Sequence, residues 1–145
     1  MSRPTAVSTL ALTLAILAPS AVFAGALDAF RDRARPVIVF TPDAGQPAAR
    51  EQIENLTRAR AALDERQMSV FVVGPRAVTT LSGGRAPSAL AADDLRKTYD
   101  VAADAFAVVL IGKDGGEKFR ATEPVTADAL TARVDEMPMR KNETR

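Results

Sequence analysis

The sequence predicts an α/β fold: a four-stranded mixed sheet with helices on both faces. Three observations predict it. Ala105 to Ile111 is a run of seven apolar residues without a break, and Pro36 to Phe40 is a shorter run of the same kind. Successive side chains of a strand point to opposite faces, so such strands are apolar on both and need cover on both. Between these runs lies a segment of helical period followed by Met68-Ser69-Val70-Phe71-Val72-Val73. Strand, helix, strand reads as a parallel pair with a right-handed crossover.

Taken in order, residues 1–24 read as a cleavable signal peptide. Met1-Ser2-Arg3 is a basic start, Ala6 to Ala18 is largely apolar, and Val22-Phe23-Ala24 matches a small-residue cleavage site. The run is shorter than the ~20 residues of a membrane span. Residues 25–34 form an amphipathic lead-in anchored by Leu27 and Phe30, with Arg31, Arg33 and Arg35 expected in solvent. The domain proper is expected over residues 35–138.

After the first strand comes the loop Thr41-Pro42-Asp43-Ala44-Gly45-Gln46. Pro47 suits the first turn of a helix, where its missing N–H costs nothing. That helix is expected to reach about Arg66, with Ile53, Leu56, Arg60 and Leu63 on one face. Arg60 is the odd member, its stem able to lie along the apolar stripe. Met68 to Val73 is the second strand. Gly74 to Pro87 shows no period and reads as a long loop, and Ser88 as the N-cap of a helix reaching Tyr99.

The strand ending at Ile111 is followed by Gly112-Lys113-Asp114-Gly115-Gly116. Asp-Gly is a strong hairpin signal, because glycine enters left-handed backbone conformations without a Cβ clash. In the return strand Phe119 and Ala121 face one way and Lys118 and Arg120 the other, the pattern of a charged edge strand. Thr126 caps a last helix with the stripe Leu130, Val134 and Met137, and Pro138 ends it. Residues 139–145 read as a polar tail. The resulting order, β-α-β-α-β-β-α, is that of the thioredoxin fold.

Composition removes whole classes of chemistry. The chain has no cysteine and no histidine, so thiol catalysis, disulfides and imidazole bases are absent. Lysine plus arginine is 19 against 18 acidic residues, which leaves no charge excess to draw nucleic acid. No cofactor and no metal are expected. Asp93, Asp94, Asp100 and Asp104 could be weighed as a cation site but read as a solvated face. Asn55-Leu56-Thr57 and Asn142-Glu143-Thr144 read as chance glycosylation patterns.

Arg35-Pro36-Val37-Ile38-Val39-Phe40, the segment Phe106 to Gly116 and Met137-Pro138-Met139-Arg140 resemble the family known as domain of unknown function 4174, over about residues 27–143. The resemblance implies a thioredoxin-like fold distantly similar to peroxiredoxins. It also implies short secreted bacterial proteins, with related domains in animal secreted, matrix-associated proteins. It implies no activity and no catalytic residue. In a working thioredoxin or peroxiredoxin the reactive cysteine follows the first strand. Thr41 to Gln46 stand there without sulfur, so cysteine-dependent oxidoreductase or peroxidase chemistry is excluded. Ala102-Ala103-Asp104-Ala105 likewise stand where a thioredoxin places a proline before the hairpin strand.

The candidate contacts for a ligand or partner are Thr41, Asp43, Gln46, Arg85, Lys113 and Asp114. The first three sit where such folds place function, at the C-terminal end of a parallel strand; the bland reading is a turn and a helix start. Ser82 to Ser88 lacks the lysine and spacing of a phosphate loop and reads as flexible, with Arg85 available to an anion. The hairpin explains Asp114, Gly115 and Gly116, and leaves Lys113 as an exposed turn cation. The expected function is a non-catalytic, exported binding module for a periplasmic protein, a peptide or a small ligand. The alternatives are an enzyme using the oxygen chemistry of Thr41 or Asp43, and a structural envelope protein pairing through the Glu117–Ala121 edge.

Overall fold

The computed structural model describes Gly25 and residues 27–145; the leader expected over residues 1–24 lies outside them. A five-stranded sheet runs β1 (Arg35–Phe40), β2 (Met68–Val73), β3 (Val78–Ser82), β4 (Ala107–Ile111) and β5 (Glu117–Ala121), in the spatial order β3-β2-β1-β4-β5. β1 and β2 are parallel, and every other pair is antiparallel. The helices are α1 (Pro47–Arg58), α2 (Arg60–Glu65), α3 (Ala92–Thr98), α4 (Ala127–Asp135) and α5 (Pro138–Glu143).

The alternation of apolar residues in β1, β2 and β4 divides the interior into two cores. Val37, Val39, Val70, Val72, Val108 and Leu110 face Leu56, Leu63, Leu130 and Val134 from α1, α2 and α4. Ile38, Phe40, Phe71, Val73, Val109 and Ile111 face Leu90, Leu95 and Val101 around α3. Phe30 of the lead-in closes this second core, with its ring 5.3 Å from that of Phe71. The two-sided cover expected from the unbroken apolar runs is therefore present.

Several elements differ from expectation. The sheet has five strands, not four: part of the segment read as a loop from Gly74 to Pro87 is β3, joined to β2 by a tight turn in which Gly74 N–H donates to Ala77 C=O. Val78-Thr79-Thr80-Leu81-Ser82 is short and mixed in burial, so it carries neither a clean alternation nor a long apolar run. The helix expected from Ser88 begins at Ala92. The first long helix is interrupted at Ala59. Arg60 opens α2 with an exposed side chain 3.8 Å from Asp64, not laid along the core.

Two further corrections concern charge. Arg35, expected in solvent, is fully buried. The C-terminal stretch expected as a polar tail is largely α5, with Pro138 in its first turn.

Candidate functional site

The C-terminal ends of β1 and β2 lie side by side, since Phe40 is registered against Val73. The chain leaves β1 through Thr41, whose N–H donates to Val73 C=O at 3.0 Å. Thr41 is wholly buried. Its hydroxyl donates to Asp43 C=O at 2.7 Å and accepts from Asp43 N–H at 3.2 Å. The hydroxyl proton thus goes to a backbone carbonyl and not to a base, and the oxygen has no approach from solvent. Asp43 is exposed, and its carboxylate accepts from Gly45 N–H at 2.8 Å, an ordinary turn bond. Gln46 precedes Pro47 as the N-cap of α1 without a side-chain capping bond. These contacts offer no nucleophile paired to a base.

Beneath this loop lies a residue that sequence reasoning did not single out. Arg96 of α3 is 6% exposed. Its guanidinium donates to the carbonyls of Thr41 at 2.8 Å, Val73 at 3.3 Å and Ala102 at 2.9 Å. It also stands 5.6 Å from the centre of the Phe40 ring. Burial pulls its pKa down, against the opposing charge of Asp93, yet an arginine stays protonated at neutral pH. Arg96 gives the Thr41 carbonyl its partner and adds a second donor to the carbonyls of Val73 and Ala102, which also accept from the amides of Thr41 and Ala105. Its position beside the inward Leu95 was the available signal, but an arginine in a helix reads as solvent-facing by default.

Next to the loop an open groove of about 460 Å³ runs between Ala44 and the β2–β3 turn. Its lining is Val72, Gly74, Pro75, Ala77 and Thr79, with Arg76 at its edge. The floor is apolar because Val72, a core residue, is the last layer on this side of the sheet and keeps 8% of its surface exposed.

The predicted contacts do not form one site. Thr41, Asp43 and Gln46 share the C-terminal end of β1. Lys113 and Asp114 lie at the other end of the sheet, because β4 runs antiparallel to β1 and pairs Leu110 with Val37. Lys113 is also not an exposed turn cation: it is 7% exposed, and its ammonium is held by Gln67 and Glu143. Asp114 is spent within its hairpin, accepting from Gly116 N–H at 3.0 Å and pairing with Lys118 at 2.5 Å. The Lys118 bond, with the Gly116 amide, holds its carboxyl below the usual range. Arg85 is exposed after β3 and makes no ion pair among the described residues.

A parallel pair at the heart of a mixed sheet, with helices on both faces and no thiol after the first strand, defines a cysteine-free domain of thioredoxin-like fold. Solved structures of peroxiredoxins share that fold. Plasmodium yoelii Prx1a superposes with a TM-score of 0.57 at 17% identity over 82% of each chain. The mitochondrial 2-Cys peroxiredoxin of Plasmodium falciparum gives 0.56 at 14% identity, over 82% of this chain and 84% of its own. Identities so low speak for the fold alone. The chain belongs to the family described as domain of unknown function DUF4174, matched over residues 26–143. It is similar to the Sushi repeat-containing protein SRPX of Rattus norvegicus, 35% identical over 123 residues, which are 83% of this chain and 26% of that protein. The Sushi repeat-containing protein SRPX2 of Homo sapiens is 30% identical over 116 residues, 78% of this chain and 25% of its own length. The chain thus spans about a quarter of the length of these relatives.

Proposed function

We propose that this protein is an exported, non-catalytic binding module that takes a protein, a peptide or a small ligand at the C-terminal end of β1 and β2. The observation that carries the reading is the open, apolar-floored groove between Ala44 and the Gly74–Ala77 turn. It lies at the end of the sheet where open α/β folds bind. The buried, internally bonded hydroxyl of Thr41 supports binding over chemistry there. Export, to the periplasm or beyond it in a bacterium, rests on the leader pattern of residues 1–24.

Photocrosslinking residues placed at Ala44 and Ala77 test the site in the native envelope. The expected result is a discrete adduct from both positions that is absent from a control at exposed Glu54. Equal background at all three positions, with no thermal shift of the purified protein in a small-ligand screen, would sink the reading. Fractionation of tagged protein tests export: a soluble cytoplasmic pool retaining the leader would overturn it.

A further inference from the structure

The two edges of the sheet are built differently. β5 carries Glu117, Lys118 and Arg120, and its register against β4 slips between Leu110 and Ile111. Its charges are satisfied internally: Arg120 bonds Glu117 at 2.8 and 2.9 Å and donates to Tyr99 C=O at 2.7 Å, while Lys118 holds Asp114. Charges and irregular pairing are how edge strands discourage further strands.

β3 lacks the charges, although its register against β2 also slips, between Val70 and Phe71. Val78-Thr79-Thr80-Leu81-Ser82 contains no charge and no proline. It pairs with β2 on one side, and among the described residues no backbone bond occupies its other side. An edge strand in that state presents a row of unpaired amides and carbonyls. The apolar groove shares Thr79 and Val72, which are registered partners, so it lies alongside this edge. From Gly74 to Ala92 there is no carboxylate, and the segment holds two arginines, Arg76 before β3 and Arg85 after it. Both are exposed, and neither makes an ion pair among the described residues.

We propose that the outer edge of β3 accepts, as a sixth strand, an extended segment of another protein that carries a carboxylate near each end. Main-chain bonds to β3 supply the pairing. Alternate side chains of the segment turn toward the groove above Val72, and its terminal carboxylates meet Arg76 and Arg85. A second copy of this chain fits less well. Antiparallel self-pairing about Thr80 brings Arg76 of one copy beside Arg85 of the other, and like charges opposed across strands destabilise. The proposal rests on the binding-module reading and names its partner class.

A displayed library of random heptapeptides, panned on the purified protein, tests it. Enriched sequences are expected to carry Asp or Glu at both ends around an alternating apolar core. Exchanging those acids for lysine should weaken the best peptide roughly tenfold, the sum of two exposed ion pairs. The double variant Arg76→Glu/Arg85→Glu, whose sites are exposed and whose melting should be unchanged, should reverse that preference. N-methylating alternate amides of the peptide should abolish binding in one phase and spare it in the other. No enriched pool, enrichment without acids, or indifference to N-methylation overturns the proposal, as does a dimer whose β3 amides are protected without peptide. Adducts at Ala44 and Ala77 without any such peptide preference would leave the module standing and remove only the strand. Failure of both experiments would remove both.

Discussion

Arg35 and Glu143 stand 108 residues apart in the chain and meet at the base of the sheet, the guanidinium donating to the carboxylate at 3.1 and 3.3 Å. The Arg35 side chain is wholly shielded from solvent, whereas Glu143 keeps 26% exposure. The same carboxylate receives Lys113, and Arg140 stands 3.8 Å away. Arg140 in turn reaches Glu65 and Asp135, and Asp135 accepts from Nε and Nη2 of Arg66. α5 is thereby fastened to the N-terminal end of β1 by ion pairs and not by an apolar stripe.

Glu143→Ala leaves Arg35 and Lys113 buried without their shared anion. The expected cost is about 3 kcal/mol, the low end for breaking a buried pair, since Glu143 is partly solvated. Urea unfolding measures it. A loss near that of exposed Glu54→Ala would show that the buried cations are satisfied in some other way.

Acid should loosen the same cluster. Burial pushes the Glu143 carboxyl up, but hydrogen bonds from Lys113 and Arg35 and their charges outweigh it and hold the group below the usual carboxylate range. A depressed folded pKa means the unfolded chain binds more protons across that window. The stabilisation is therefore present above the ordinary glutamate pKa and lost as pH falls through the folded value. Stability curves from neutral pH downward should be flatter for Glu143→Gln than for the parent. Asp114→Asn should change the slope less, because its exposed pair with Lys118 is screened by water. Parallel curves for parent and Glu143→Gln would contradict the assignment.

Arg96→Met removes the guanidinium that the Thr41, Val73 and Ala102 carbonyls share. The Val73 and Ala102 carbonyls keep backbone donors, the amides of Thr41 and Ala105, so only the Thr41 carbonyl is left unpaired and the loss should be about 2 kcal/mol. Hydrogen exchange should also quicken at Thr41 N–H, which is bonded to one of those carbonyls. Unchanged exchange there would mean the strand ends hold without the guanidinium.

Tyr99 is the only tyrosine, and there is no tryptophan, so its ionisation can be followed alone by absorbance. Burial, with the charge of Glu117, raises its pKa to about 12. A folded value above the unfolded one means stability is full below pH ~10 and falls as pH rises toward the folded value. A titration midpoint close to that of free tyrosine in still-folded protein would refute the burial of the ring.

Gly83 and Gly84 separate close approach from backbone conformation. Both have positive φ, +85° and +93°. A Cβ on Gly83 would lie 2.5 Å from Ser69 Oγ and 2.6 Å from Ser69 Cα, whereas one on Gly84 would meet nothing within 4 Å. Gly84→Ala should cost only the ~1 kcal/mol or more of a left-handed non-glycine residue. Gly83→Ala should cost clearly more, since β2 backbone must also shift. Equal melting temperatures for the two variants would argue against the contact with Ser69.

Legibility followed the range of the signal. Val37 to Phe40, Met68 to Val73 and Ala107 to Ile111 announce themselves because burial on both faces demands apolar residues in succession. β3 was missed because an edge strand with one partner needs neither an apolar run nor strict alternation, and Thr79 and Thr80 suit a loop as well. Thr41, Asp43 and Gln46 lie at the C-terminal end of β1, as their place after the first apolar run implies. The groove floor at Val72 and the buried Arg96 were not foreseen.

The sequence by itself determined the α/β class, the parallel pair, the closing hairpin and the absence of any thiol. Each of these follows from local residue order or from composition, which need no knowledge of distant neighbours. Only the tertiary structure decided that Arg35, Lys113 and Arg140 are buried, that Lys113 lies far from Thr41, and that β3 is the last strand of the sheet among the described residues. A charged side chain is buried only where partners from remote segments offset its desolvation. Those partners, Glu143 above all, are set by how β1, β4 and the C-terminal helix converge in space, and one-dimensional spacing holds no record of that convergence.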